Sequence, residues 1–232
     1  MGQTDDPEED PCLADWLYND GAGPYGEAGT PLSMAFRSSV AETDDVDIYF
    51  FGSPAAEYRG FYPNFSQAVQ PPNAMGWSVV KSHVRSETGT VELRSGNPRD
   101  RPAISFNWFE NEGEKDLQAL TEGVELMLEI MDAVGGPYAP YESVQPIPGL
   151  DISQSVADTV FSHHATSSCR MGPRGDKNYC VDSNFKVNGV DGLRVVDGSV
   201  FPRTPGGFPV APTFMISHKA FGAIVSELEG SG

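Results

Sequence analysis

Cysteine is scarce in this chain, and long apolar runs are missing. Its 232 residues include three cysteines, Cys12, Cys169 and Cys180, too few for a disulfide framework. No Cys-x-x-Cys occurs and the histidines are not spaced as zinc ligands, so no metal site is expected. A Cys169–Cys180 bridge is left open. No stretch approaches the roughly 20 apolar residues that span a bilayer, so no membrane partner is expected. The opening MGQTDDPEED has neither the basic nor the apolar part of a signal peptide, which favours a reducing, cytoplasmic location. The glycosylation acceptor NFS at 64–66 has meaning only in a secreted chain. Cations are outnumbered 15 to 33, for a net charge of −18. Nucleic acid and anionic membrane surfaces repel such a protein. The charge reads as a solubility charge, or as the mark of a basic partner or cationic ligand. No Gly-x-Gly-x-x-Gly opens a helix after a strand: Gly21-Ala-Gly23 follows a helix and reads as a turn, which gives a pyrophosphate no seat.

With 39% hydrophobic and 10% aromatic residues the chain suits a globular fold with a sizeable core. Residues 1–12 read as a loose lead, and 13–18 as the last turns of a helix. Period-two alternation follows: Leu32, Met34 and Phe36; Val46, Ile48 and Phe50; Ile104, Phe106 and Trp108. Residues 78–85 and 89–94, separated by Glu-Thr-Gly, read as a hairpin. Together these predict an antiparallel sheet of at least five strands over 32–108. Leu117, Leu120, Val124, Met127 and Met131 share a stripe, which predicts a backing helix over 114–133. Asp151 is placed to cap a second helix. Residues 193–196 read as a short strand. A helix over 212–228, with Pro212 at its first position, is apolar nearly all round and needs more than this chain to cover it. The fold class is therefore α+β.

Three segments carry the chemistry: HHATSSCRMG at 163–172, LRVVDGSVFP at 193–202 and APTFMI at 211–216. In this order they resemble the C-terminal signature of the glucose–methanol–choline (GMC) oxidoreductases, and ETGTVELRS at 87–95 with PAISFN at 102–107 is similar to that family's substrate-domain hairpin. The resemblance implies a substrate-binding domain over 13–162 (antiparallel sheet backed by helices). It also implies a signature region over 163–232 that returns to an incomplete Rossmann-like FAD domain. It implies FAD as cofactor, a small-molecule substrate, and a partner polypeptide (or a second copy in a homodimer) that supplies the missing half. His164 takes the place of the family's active-site histidine, with His163 as the reserve. Asp197 and Gly198 take the place of the residues facing the flavin's ribityl chain. Val210, Ala211, Pro212 and Thr213 take the place of the helix start beside the flavin's pyrimidine edge.

At Val210 the pattern departs from the family, which usually has a histidine or asparagine there to pair with the first histidine. Valine neither donates nor accepts. Read without the resemblance, His164 caps a helix end, Asp197 closes an Asx turn, and Thr213 is only a first-turn residue. Three functions compete: FAD-dependent oxidation of a CH–OH group; a derived lyase, dehydratase or cyclase using His164 as acid and base; and a non-catalytic fragment.

Overall fold

The structure is a computed structural model that describes residues 5–26, 32–54, 73–136 and 139–230. The NFS acceptor at 64–66 lies outside the described residues. The first helix, α1, runs Pro11–Tyr18. Asp10 caps it, taking the N–H groups of Cys12 and Leu13 at 3.0 and 3.2 Å. The helix thus starts two residues inside the segment read as a loose lead.

The alternating segments form strands β1 (Leu32–Phe36), β2 (Ile48–Pro54), β3 (Met75–Lys81), β4 (Thr90–Glu92) and β5 (Ala103–Ser105). All pairings are antiparallel, but they make two sheets, β1-β2-β3 and β4-β5. The single five-stranded sheet and the hairpin of 78–85 with 89–94 are corrected: β3 pairs with β2, and β4 with β5. Glu87-Thr88-Gly89 does not close a tight turn; Thr88 instead bonds to the chain after β5, its carbonyl receiving Asn107 Nδ2 at 3.0 Å.

Helix α2 (Gly113–Ala133) lies across the sheet, and its buried residues are Gly113, Asp116, Ala119, Leu120, Gly123 and Met127. The small residues of that stripe let α2 approach closely. A Cβ on Gly123 would lie 2.9 Å from Val79 Cγ1 and 3.3 Å from Ile48 Cγ2, so glycine is required there. Ile48, Phe50, Ala119, Leu120 and Met127 form the first core, with Met34, Phe36, Trp77 and Val79 packed against it. Helix α3 (Ile152–Thr159) has Asp151 as its cap, accepting Gln154 N–H at 2.8 Å.

Two carboxylates are buried in this part, Asp116 of α2 and Asp47. Asp47 accepts Ser38 N–H and Oγ at 2.8 Å each and Lys81 Nζ at 2.9 Å. Both side chains of the ion pair are less than one-tenth exposed, at 8% for Asp47 and 7% for Lys81. Burial raises the Asp47 pKa, but the Ser38 bonds and Lys81 outweigh it and hold the carboxyl below its ordinary value.

The C-terminal part is built otherwise. Residues 193–196 form no strand; they contribute one isolated bridge, Lys186 with Arg194. A four-residue segment with one short neighbour has no ladder to join. A second core gathers Val181, Phe185, Val200 and Ala220, with Cys169, Met171, Cys180 and Ile216 against it. The last helix, α4, runs Val210–Gly230, so Pro212 is its third residue, not its first. The shift costs no bond, because the first N–H groups of any helix lack an intrahelical acceptor. The ladder starts at Thr213, whose N–H donates to Pro209 O at 2.9 Å. Only Ala220 of α4 is buried, while Phe214, Met215, Phe221 and Leu228 are 65–74% exposed. Among the described residues no helix is long and apolar enough to cross a membrane.

Candidate active site

The signature segment is held by its backbone. Ser167 N–H donates to Gly198 O at 3.2 Å, Cys169 N–H to Ser199 O at 2.9 Å and Met171 N–H to Val200 O at 2.9 Å. This ladder joins the first and second signature pieces. Cys169 and Cys180 are linked by a disulfide, with Cα atoms 4.9 Å apart, which settles the pairing the sequence left open and removes Cys169 as a thiol nucleophile. Gly172 is fixed by its neighbour: a Cβ there would lie 2.1 Å from the Tyr179 ring.

From this frame His164 projects toward the first sheet. Its ring meets Phe208 edge-on, with centroids 5.7 Å apart. Phe208 reaches back to the sheet, 5.3 Å from Tyr49 and 5.9 Å from Phe51. The loop that carries it, Gly206-Gly207, lies against the end of β3. Gly206 has φ +134, and a Cβ on Gly207 would be 3.5 Å from Ser82 Oγ. His163, by contrast, is exposed and packs edge-on against Phe161 at 5.4 Å. Neighbouring side chains of an extended segment diverge, and these two histidines do.

Asp197 is exposed and caps the short 3-10 helix Gly198–Val200, its Oδ1 accepting Ser199 N–H at 2.8 Å. Gly198 stands where all three signature pieces meet: a Cβ on it would face Ala165 O at 3.5 Å, Thr166 Cγ2 at 3.8 Å and Thr213 Oγ1 at 4.0 Å. Thr213 Oγ1 donates to Pro209 O at 2.7 Å, so its hydroxyl closes the helix start. Val210 is 64% exposed, two residues beyond Phe208. Ala211 is also exposed and Pro212 half-buried. Arg170 and Arg203 both pair with Glu87, at 3.6 and 3.2 Å, tying the signature region to the chain before β4. Among the described residues no group of three or more His, Cys, Asp or Glu is placed to hold a metal ion.

The GMC oxidoreductase family model matches residues 85–217, more than half of the chain. The chain belongs to the GMC oxidoreductases. It is 35% identical over 220 residues to the oxygen-dependent choline dehydrogenase of Pseudomonas fluorescens, covering 89% of this chain and 35% of that protein. To the protein of the same name from Brucella anthropi it is 33% identical over 219 residues, covering 89% and 37%. The chain therefore spans little more than a third of the length of these curated relatives. Among solved structures it is similar to a formate oxidase from Aspergillus oryzae, with a TM-score of 0.72 at 22% identity, over 98% of this chain and 43% of that one. It is similar also to pyridoxine 4-oxidase from Mesorbium loti, with a TM-score of 0.59 at 18% identity, over 85% and 38%. These two likenesses support the α+β fold, with its antiparallel sheets and helices.

GMC oxidoreductases use FAD, and the residues present suit one end of it. Val210 and Ala211 precede the first helical bond, so their N–H groups have no i−4 acceptor within α4 and mark its positive end. Asp197 uses one oxygen for its cap and is exposed. Nothing in the chain has the pattern of a phosphate loop. Sequence reasoning missed Phe208, Tyr49, Phe51 and Glu87. The available signal was Gly-Gly-Phe-Pro just before the last helix, a phenyl group on a loop free to bring it close to another chain segment.

Proposed function

We propose that this chain is the substrate-facing, histidine-bearing part of an FAD-dependent enzyme that oxidises a CH–OH group of a small organic molecule. The observation that carries the reading is His164, three residues before the signature ladder, with its ring against Phe208, which itself meets Tyr49 and Phe51 of the first sheet. In this reading 13–162 is the substrate domain and 163–232 the signature region. The pyrophosphate seat comes from a preceding part of the same protein or from a partner polypeptide; a second copy is the runner-up. The exposed apolar residues of α4 supply a face for that half.

His164 takes the hydroxyl proton while the carbon loses hydride, turning CH–OH into C=O. Bound FAD supplies the hydride acceptor. Val210 offers no hydrogen bond to the alcohol oxygen, so His164 has no polar helper at that position, and His163 remains the second histidine to test. The Asp197 carboxylate would accept ribityl hydroxyl bonds, and the start of α4 would favour negative charge on the flavin. The sequence favours the cytoplasm, whereas the Cys169–Cys180 bridge weighs against a reducing surrounding.

Val210 favours the second reading, a derived lyase, dehydratase or cyclase with His164 as acid and base. Protein purified from its own source decides between them by its absorbance spectrum and by alcohol turnover with an electron-accepting dye. We expect a flavin spectrum, and a loss of about 10²–10⁴-fold in turnover for His164→Ala with the spectrum retained. Turnover within a few-fold of the parent transfers the role to His163. A colourless protein that transforms its substrate without an acceptor establishes the second reading.

A further inference from the structure

The side chains gathered around Phe208, the neighbour of His164, say what the rest of the substrate is made of. We infer that the substrate carries a flat, uncharged apolar group, an aryl or conjugated one, which lies on Phe208 while its alcohol carbon reaches His164. The inference rests on the proposed oxidation and names the substrate class of that same site.

The first sheet has two faces. One is buried under α2. On the other, Tyr49 and Phe51 alternate outward between β1 and β3. Their register partners are Ala35 and Val80 for Tyr49, and Ser33 and Ser78 for Phe51. Directly opposed residues of antiparallel strands share a face. None of these six is charged, so these described residues offer neither a carboxylate for a cationic substrate nor a guanidinium for an anionic one. A buried or half-buried charge on the substrate would go unpaired there.

Phe208 closes this wall at the end nearest His164. Its ring stands at 89° to Tyr49 and at 64° to His164. Tyr49, Phe51 and His164 each make their ring contact with Phe208 itself, whereas a cage for a trimethylammonium group needs several ring faces turned on one cation. What remains is the outer surface of Phe208, which is 48% exposed beside the imidazole. A molecule whose hydroxyl meets His164 must lay its remaining atoms on or past that ring. Val210, two residues along, is also apolar and 64% exposed. Both positions are apolar where a polyol or a charged substrate would need polar partners.

The test uses the flavin-containing protein from its own source, with benzyl alcohol, methanol and choline as substrates and benzamide as a non-reacting probe. We expect benzyl alcohol to be oxidised with the highest kcat/KM of the three, and benzamide to compete with it. Phe208→Leu keeps an apolar residue in the loop but loses the ring. It should weaken benzamide binding, read from perturbation of the flavin spectrum, by about tenfold, the upper range for one aromatic pair. It should also lower the preference for benzyl alcohol over methanol by a similar factor. A protein that prefers choline, or whose Phe208→Leu variant binds benzamide as the parent does, overturns the inference while leaving alcohol oxidation standing. A protein that oxidises none of the three but binds benzamide through Phe208 overturns the oxidase reading and keeps the aryl wall. Where the leucine variant does not accumulate, Phe51→Leu reads the same preference from the other side of the ring, and an unchanged preference there also sinks the inference.

Discussion

The sheet with α2 and the C-terminal region reach order by different means. In the first, side chains interdigitate: Phe50 and Ile48 are fully buried, and Gly123 lets the helix sit directly on them. In the second, Val181, Phe185 and Val200 are buried just as fully, but α4 adds only Ala220 to that core. Order comes from the backbone bonds of 167–171 to 198–200, from the disulfide, and from a small cluster under α4. On its α2 side the first region buries its apolar surface within itself. The second displays Phe214, Met215, Phe221 and Leu228 on a helix tied down at Glu227, which accepts Lys186 Nζ at 2.7 Å and also bonds Arg194. The first region is closed on its α2 side; the second makes a core of its own and leaves most of its last helix bare.

Four substitutions or treatments probe that contrast, from the largest expected effect to the smallest. Removing the Phe50 ring should remove most of the first core's advantage: Phe50→Ala is expected to cost about 3–5 kcal/mol, measured by denaturant unfolding. A loss below about 1 kcal/mol would show that the sheet does not depend on this packing.

The Asp47–Lys81 pair is the next. Lys81→Met leaves a buried carboxylate without its cation, with an expected loss of about 3–5 kcal/mol near neutral pH. The carboxyl is held below its ordinary value of 3.8, so its share of stability is present above that value and lost as the pH falls through the lower folded one. The parent's stability should fall steeply below about pH 4, and Asp47→Asn should flatten that slope. A parallel acid profile in Asp47→Asn would place the titrating group elsewhere.

Opening the disulfide tests the second region. A bridge closing a loop of this size is worth about 3 kcal/mol in the chain-entropy account. The Cys169→Ser, Cys180→Ser variant should lose about that much, with faster hydrogen exchange at 169–200 and little change in β1–β3. Equal losses in both regions would erase the distinction between them. The smallest effect belongs to the bare helix: Phe214→Ser should alter the stability of the isolated chain by no more than about 0.5 kcal/mol, because the ring is 74% exposed. A larger loss would mean that α4 is packed after all.

The parts legible in the sequence were those fixed by near neighbours. Helix α2 declared itself by its stripe and α3 by Asp151, since both depend on residues three or four apart. Strands were legible as strands, but not their partners. Alternation says which way a side chain points and nothing about which strand lies alongside, so β3 was matched with β4 when it belongs to β2. The phase also failed at the edge: Val46, expected inside, is 51% exposed, and Asp47 is the buried one, because Ser38 and Lys81 from distant segments satisfy it. At the candidate site, it is the resemblance that names His164, Asp197 and Thr213. Phe208 stayed invisible, because its contact with Tyr49 joins residues far apart in the chain.

Glu87 stands between Arg170 and Arg203, two cations answering to one carboxylate. Such an arrangement has a spare part. If either arginine is exchanged, the other inherits the whole acceptor, and the seam between the signature region and the chain before β4 keeps an anchor. The acid has no understudy in these two pairs. Losing either arginine alone leaves one of the two pairs in place; losing the glutamate removes both at once.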